Sequence, residues 1–152
     1  MGNRSSGEIF STLRQAGIEE YKAVICSKAS HLKGRQAGQF VKVYGPLIGE
    51  ITHTQQIRLF EIVYREKFNY ARGVYSRNSR HVHDALIWYK IDKEIRDVFV
   101  DTIYQGNRTA PEMVKIMAQG GSQNEIIEYL KNDPVLSGDR RRNEIRIRSL
   151  NK

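Results

Sequence analysis

The sequence is poor in cysteine, proline and long apolar stretches. Its 152 residues include a single cysteine, Cys26, and three prolines. One thiol cannot form an intramolecular disulfide, so the fold does not depend on an oxidising compartment, and the apolar run Ala23–Cys26 predicts a buried structural thiol. No apolar stretch approaches the about 20 residues that a transmembrane helix needs. No secretory signal peptide is recognised, which predicts synthesis in the cytoplasm without export by that route.

Side chains for metal and phosphate chemistry are also scarce. Of the four histidines, only His81 and His83 lie close in sequence, and no second cluster offers further ligands, so we expect a solvated polar loop and no metal. Phosphate-binding glycine loops are missing. Gly120-Gly121-Ser122 opens a helix and can bind an anion through free amides, but a plain helix break explains it as well. We therefore expect no cofactor.

Basic residues are plentiful, with 25 Lys and Arg against 17 Asp and Glu, a net charge of +8. This charge favours nucleic acid, an anionic membrane or an anionic cell wall as partner. Recognised nucleic-acid motifs are missing, so the basic stretch 139–152 is interpreted as a solvated face or an ion-pair hub. Met1–Ser6 also matches the template for N-myristoylation of Gly2, and the sequence leaves its use open.

Hydrophobic residues recur mostly at helical spacing. Three capping boxes are predicted, and their partners are Ser5 and Glu8, Thr52 and Gln55, and Ser122 and Glu125. The most strongly core-facing helix is predicted at about 92–105, capped by Asp92 and ended by Gly106. Residues 40–44 fit a helix or a strand, and residues 76–83 look turn-like. We predict a mainly α fold, a single domain over 1–152 with short helices around one buried central helix.

The order of four motifs resembles the helical C-terminal lobe of phage-type lysozymes and pesticin-like bacterial toxins. The first is Ile51-Thr52 followed by Leu59-Phe60, and the second is the segment Asp97–Gly106 with its Tyr-Gln-Gly end. A short helix with Met113 and Met117 is followed by the helix 123–131, and then by the segment Gly138–Glu144. The opening segment Gly2–Ser5 resembles the residues just after the glycine-rich turn of that family.

This resemblance implies a peptidoglycan muramidase, a glycoside hydrolase of the lysozyme type, and an antibacterial role at the cell wall. The family's catalytic glutamate lies before or around its glycine-rich turn, and no residue here matches that position. Glu8 is interpreted as a capping partner, so no catalytic residue is assigned. We therefore expect the chain to lack the N-terminal catalytic segment, and the sequence leaves open whether the chain is active alone. Delivery to the wall would require secretion, injection or lysis.

The resemblance also implies that Tyr104, Gln105 and Asn107 face the saccharide groove, and an amide suits sugar hydroxyls. For Gln105, capping of neighbouring backbone is an equal alternative. Three hypotheses stay open for the whole chain: a muramidase-like domain, a non-catalytic module that binds glycan or protein, and a basic structural protein at a membrane or nucleic acid. Peptidoglycan or a related glycan is the expected partner. A second copy or another protein is expected to cover the surface where the missing lobe would lie.

Overall fold

The computed structural model describes residues 4–152, and the regular structure of this part is helical, which confirms the mainly α prediction. Gly2 and Asn3, which carry the myristoylation template and the start of the family resemblance, lie outside the described residues. Nine α-helices and one short 3-10 helix (Trp88–Lys90) follow one another in this part of the chain. The α-helices are α1 (Ser6–Gln15), α2 (Glu20–Ser27), α3 (Gly34–Ile48), α4 (His53–Ser79), α5 (Lys93–Gln105), α6 (Ala110–Ala118), α7 (Gln123–Asn132), α8 (Pro134–Gly138) and α9 (Arg140–Leu150).

The chain divides into two compact units, Met1–Arg65 and Glu66–Lys152, and the helix α4 contributes residues to both. Each unit has its own apolar cluster. The prediction of one domain over 1–152 stays a prediction. No helix within residues 4–152 is both long enough and apolar enough to cross a membrane.

The first unit has a small core formed mainly by α1 and the segment that follows it. The predicted capping box begins α1, because the Ser5 hydroxyl accepts the Glu8 N–H at 3.2 Å and the Glu8 carboxylate accepts the Ser5 N–H at 2.7 Å. The buried members of this core are Ile9, Leu13, Ala16, Ile18 and Ala23. Cys26 is half-buried and packs against them, and burial raises the pKa of its thiol.

Residues 40–44, which fitted a helix or a strand, are helical and belong to α3. The helix continues through Pro46 to Ile48, beyond the Gly45-Pro46 stop that the sequence suggested. Proline removes one amide donor, and the carbonyl oxygen that loses this donor belongs to Lys42, an exposed residue that water can reach. None of the fifteen residues of α3 is buried.

The predicted capping box at Thr52 and Gln55 is present before α4, with hydrogen bonds of 2.9 and 3.1 Å. The prediction of a turn at 76–83 was wrong for residues 76–79, because α4 runs to Ser79, and is confirmed for residues 80–83. Buried Tyr75 anchors this last part, and its hydroxyl donates to the carbonyl oxygen of Leu86. The Asn78 amide also donates to the Val74 carbonyl oxygen one turn earlier, at 2.8 Å, so a polar side chain supports the helix end.

The second unit packs around α5 and the only tryptophan. Trp88 lies with its ring 5.4 Å from Tyr75 and 6.1 Å from Phe99, so three aromatic rings from different elements fill the centre of this core. Buried side chains of α6 and α7 complete it, among them Met113, Val114, Met117, Ile126 and Leu130. The prediction of a central buried helix at about 92–105 is therefore confirmed by α5, although the Asp92 side chain makes no capping hydrogen bond.

Candidate functional site

The candidate site is built around the C-terminal end of α5, where an apolar helix turns sharply. Gly106 takes a left-handed conformation with φ 93° and ψ 48°. Its N–H donates to the carbonyl oxygen of Ile103, and the N–H of Asn107 donates to that of Thr102, both at 3.0 Å. These paired bonds form the usual glycine-ended helix stop. Tyr104 lies on the exposed side of α5, whereas Asn107, which follows the turn, is half-buried.

Asn107 uses both ends of its side-chain amide within the protein. Its Oδ1 accepts the Thr109 N–H at 2.9 Å and a hydrogen bond from the Tyr129 hydroxyl at 3.1 Å, and its Nδ2 donates to the Thr102 hydroxyl at 3.2 Å. The Thr109 hydroxyl also donates to the Asp133 carboxylate at 2.5 Å. Asn107 therefore holds the loop after α5 against α7, and its direct contact with a sugar stays a prediction.

Tyr104 presents an aromatic ring to solvent, with 54% of the residue exposed. Two cations lie at this ring: Lys67 Nζ is 5.3 Å from the ring centroid, and the central guanidinium carbon of Arg142 is 5.4 Å from it. Both distances fall within the range of cation–π attraction. We call Tyr104, Lys67 and Arg142 the Tyr104 surface. It belongs entirely to the second unit.

Asp101 holds Arg142 in one orientation through hydrogen bonds. The Arg142 guanidinium donates to both carboxylate oxygens, at 2.7 and 3.2 Å, and Arg146 Nε donates to Oδ2 at 2.6 Å. Burial raises the pKa of Asp101, but the hydrogen bonds and charges of the two arginines outweigh it and leave this pKa below its ordinary value. The basic stretch near the C-terminus thus contains an ion-pair hub, one of the two interpretations drawn from the sequence.

Gln105, the third predicted site residue, is half-buried. Its Nε2 donates to the carbonyl oxygen of Val135 at 3.4 Å, a long bond to neighbouring backbone. Its Oε1 is buried and has no hydrogen-bond partner among the described residues. The side chain therefore contacts neighbouring backbone, which was one of the two alternatives for Gln105, and its contact with a sugar stays a prediction.

Sequence reasoning singled out Tyr104 but not its neighbours Lys67, Asp101 and Arg142. A signal for part of this group was present in the sequence. Arg142 and Arg146 are four residues apart, so they share one face of α9, and an acid opposite them would relieve their mutual repulsion. Finding that acid in Asp101, 41 residues away, requires the tertiary structure.

A second feature of this unit is an open groove of about 720 Å³ between α6 and α7, with acidic side chains along it. Of its three acids, Glu112, Glu125 and Asp133, the last two have structural partners. Glu125 closes the capping box of α7, and Asp133 accepts the N–H groups of Val135 and Leu136 at the start of α8. Glu125 and Asp133 therefore serve the starts of α7 and α8, and the groove is interpreted as the junction between these helices. Within residues 4–152, no group of three or more His, Cys, Asp or Glu side chains is arranged to hold a metal.

The chain was compared with known families, curated proteins and solved structures. A family model described as a domain of unknown function (DUF8812) matches residues 1–136. This range includes Lys67 and Tyr104 and ends before α9, the helix that supplies Arg142. No curated protein and no solved structure matches the chain.

Proposed function

Because the chain belongs to the family described as a domain of unknown function, DUF8812, we propose its function from its motifs and its own surface chemistry. We propose that it is the helical lobe of a peptidoglycan-directed, lysozyme-like muramidase. In this proposal, the chain binds the glycan strand at the Tyr104 surface. The observation that carries this proposal is the exposed Tyr104 ring with two cations beside it.

The Tyr104 surface suits a polymer of sugars that also carries carboxylates. A sugar ring has a face of C–H groups that packs on an aromatic ring, while its hydroxyls and acidic substituents need polar partners. Lys67 and Arg142 supply positive charge over the same ring. Peptidoglycan offers both features, because its sugars carry stem peptides that bear free carboxylates.

Arg142 is well placed to select an anion because it is already held in one orientation. Its two hydrogen bonds to Asp101 restrict the guanidinium, so less conformational entropy is lost when a carboxylate binds. About one third of the Arg142 side chain is exposed. Lys67 adds a second donor on a flexible stem.

Four carboxyl groups of the chain have a lowered pKa, which does not suit the acid of a glycosidase. A glycosidase needs a carboxylic acid that stays protonated, which requires a raised pKa. The Ser5 N–H and hydroxyl lower the pKa of Glu8, the acid closest to the family's catalytic region. The pKa values of Glu19, Asp101 and Asp133 are lowered as well. We therefore propose binding residues and no catalytic residue.

The proposal is tested by pull-down of the full chain with purified peptidoglycan, together with analysis of released muropeptides. We expect binding without release of fragments, and Tyr104→Ala should weaken binding by about tenfold, as loss of one aromatic contact would. Release of fragments would instead locate a catalytic acid within the chain, and Glu8→Gln would then be the first variant to assay.

A matched control is Tyr89→Ala, which removes another exposed tyrosine of the second unit with an arginine, Arg96, 5.8 Å from its ring. This variant should bind peptidoglycan as the unchanged chain does. Equal binding by Tyr104→Ala and the unchanged chain would refute the Tyr104 surface as the binding site. An equal loss in both tyrosine variants would refute it too, because binding would then reflect general adhesion of aromatic and basic groups.

A further inference from the structure

Helix α3 in the first unit has an apolar face that neither hydrophobic core covers. Its apolar residues recur three or four positions apart, which places them along one side of the helix. Val41 is 66% exposed and Leu47 is 61% exposed, and no residue of the helix is buried. The members of this face are Ala37, Phe40, Val41, Tyr44, Leu47 and Ile48. None of them belongs to either core cluster or packs against one.

The composition of α3 gives little intrinsic support for a helix. Three glycines, a proline and three β-branched residues occur among its fifteen positions. Helices of this length are marginal in water even with favourable residues, and most helices in proteins are stabilised by packing their apolar face. A surface that receives this face would therefore stabilise α3.

The charge around α3 is of one sign. Between Glu20 and Glu50 the sequence contains five Lys and Arg residues and no Asp or Glu. Lys28, Lys33, Arg35 and Lys42 are all exposed. At about 100° per residue, Arg35 and Lys42 lie on the side of α3 opposite its apolar face. An apolar stripe with a basic polar side is the pattern of helices that lie in a membrane interface.

We propose that α3 lies on an anionic lipid surface, with its apolar face among the acyl chains and its lysines and arginines at the lipid headgroups. An anionic bilayer offers an apolar interior and negative charge together, which matches both sides of this helix. A second copy of the chain would bring the same positive charge against itself. Nucleic acid would leave the apolar face unused. The inference concerns the first unit and does not depend on glycan binding by the second.

The test is sedimentation of the full chain with vesicles made of equal parts phosphatidylglycerol and phosphatidylcholine, beside vesicles of phosphatidylcholine alone. We expect strong binding to the anionic vesicles and weak binding to the neutral ones. The double variant Val41→Ser, Leu47→Ser should lose at least about tenfold in affinity. The triple variant Lys33→Gln, Arg35→Gln, Lys42→Gln should lose on the order of a hundredfold at low salt. Circular dichroism checks that the variants keep their helix content.

Matched controls exist in the second unit. Ile87→Ser, Ile145→Ser removes two isoleucines of similar exposure, and Arg140→Gln, Arg141→Gln, Lys152→Gln removes three exposed cations. Both controls should bind the anionic vesicles nearly as the unchanged chain does. Equal affinity for both kinds of vesicle, or equal losses in the α3 variants and their controls, would overturn the proposal. So would a dimer that the Val41, Leu47 variant dissociates while vesicle binding is unchanged.

Discussion

Asp101 is the residue whose replacement most directly tests the packing of the second unit. It accepts hydrogen bonds from Arg142 and from Arg146, whose side chain is almost fully buried. Asp101→Asn leaves a buried guanidinium without its counter-charge, and we expect the free energy of unfolding at pH 7 to fall by about 2 kcal/mol. Chemical denaturation of the two proteins measures this difference.

The hydrogen bonds between Asp101 and the two arginines also determine how stability changes with pH. The folded pKa of Asp101 is lowered from 3.8, so its contribution to stability is present above that value and is lost as the pH falls through the folded pKa. We expect Asp101→Asn to reduce the loss of stability below about pH 4. Asp97→Asn is the control, because Asp97 lies one turn earlier at similar exposure and pairs with exposed Lys93. It should change stability by less than about 0.5 kcal/mol. Equal effects of the two variants would contradict the hub.

Among the elements, the capping boxes give the sharpest local prediction. The Ser122 hydroxyl accepts the Glu125 N–H at 3.3 Å, and the Glu125 carboxylate accepts the Ser122 N–H at 2.6 Å. Ser122→Ala should lower the free energy of unfolding by about 1 kcal/mol, because amides at the start of α7 lose their partner. Asn124→Ala, two residues later at an exposed position, should change it by less than about 0.5 kcal/mol. Thermal or urea denaturation that finds the two variants equal would contradict this role.

Elements with a local cause were predicted well from the sequence. All three capping boxes and the glycine stop of α5 are present, because each depends on residues a few positions apart. The end of α4 was missed because Tyr75 and Leu86 stabilise it through a contact across a loop. The Tyr104 surface could be predicted only in part, since the aromatic residue is visible in the motif but its cations come from distant helices.

At the scale of the whole molecule, stability is expected to be unevenly distributed. The helices α5 and α6 place many fully buried side chains in one core, whereas α3 places none in either core. Local unfolding needs little free energy where few apolar contacts are lost. The backbone hydrogen bonds of α3 should therefore open far more often than those of α5.

Hydrogen–deuterium exchange measured by mass spectrometry tests this difference on the full chain. Peptides covering 34–48 should exchange with an opening free energy near zero, and those covering 93–105 should approach the value for global unfolding. The short first helix α1 is a useful internal reference, because it is ten residues long and yet buries Ile9, Thr12 and Leu13. If burial decides protection, α1 exchanges more slowly than the longer α3. If α3 proves as protected as α5, its apolar face is covered in the free protein, and the surface proposed for lipid is occupied by protein.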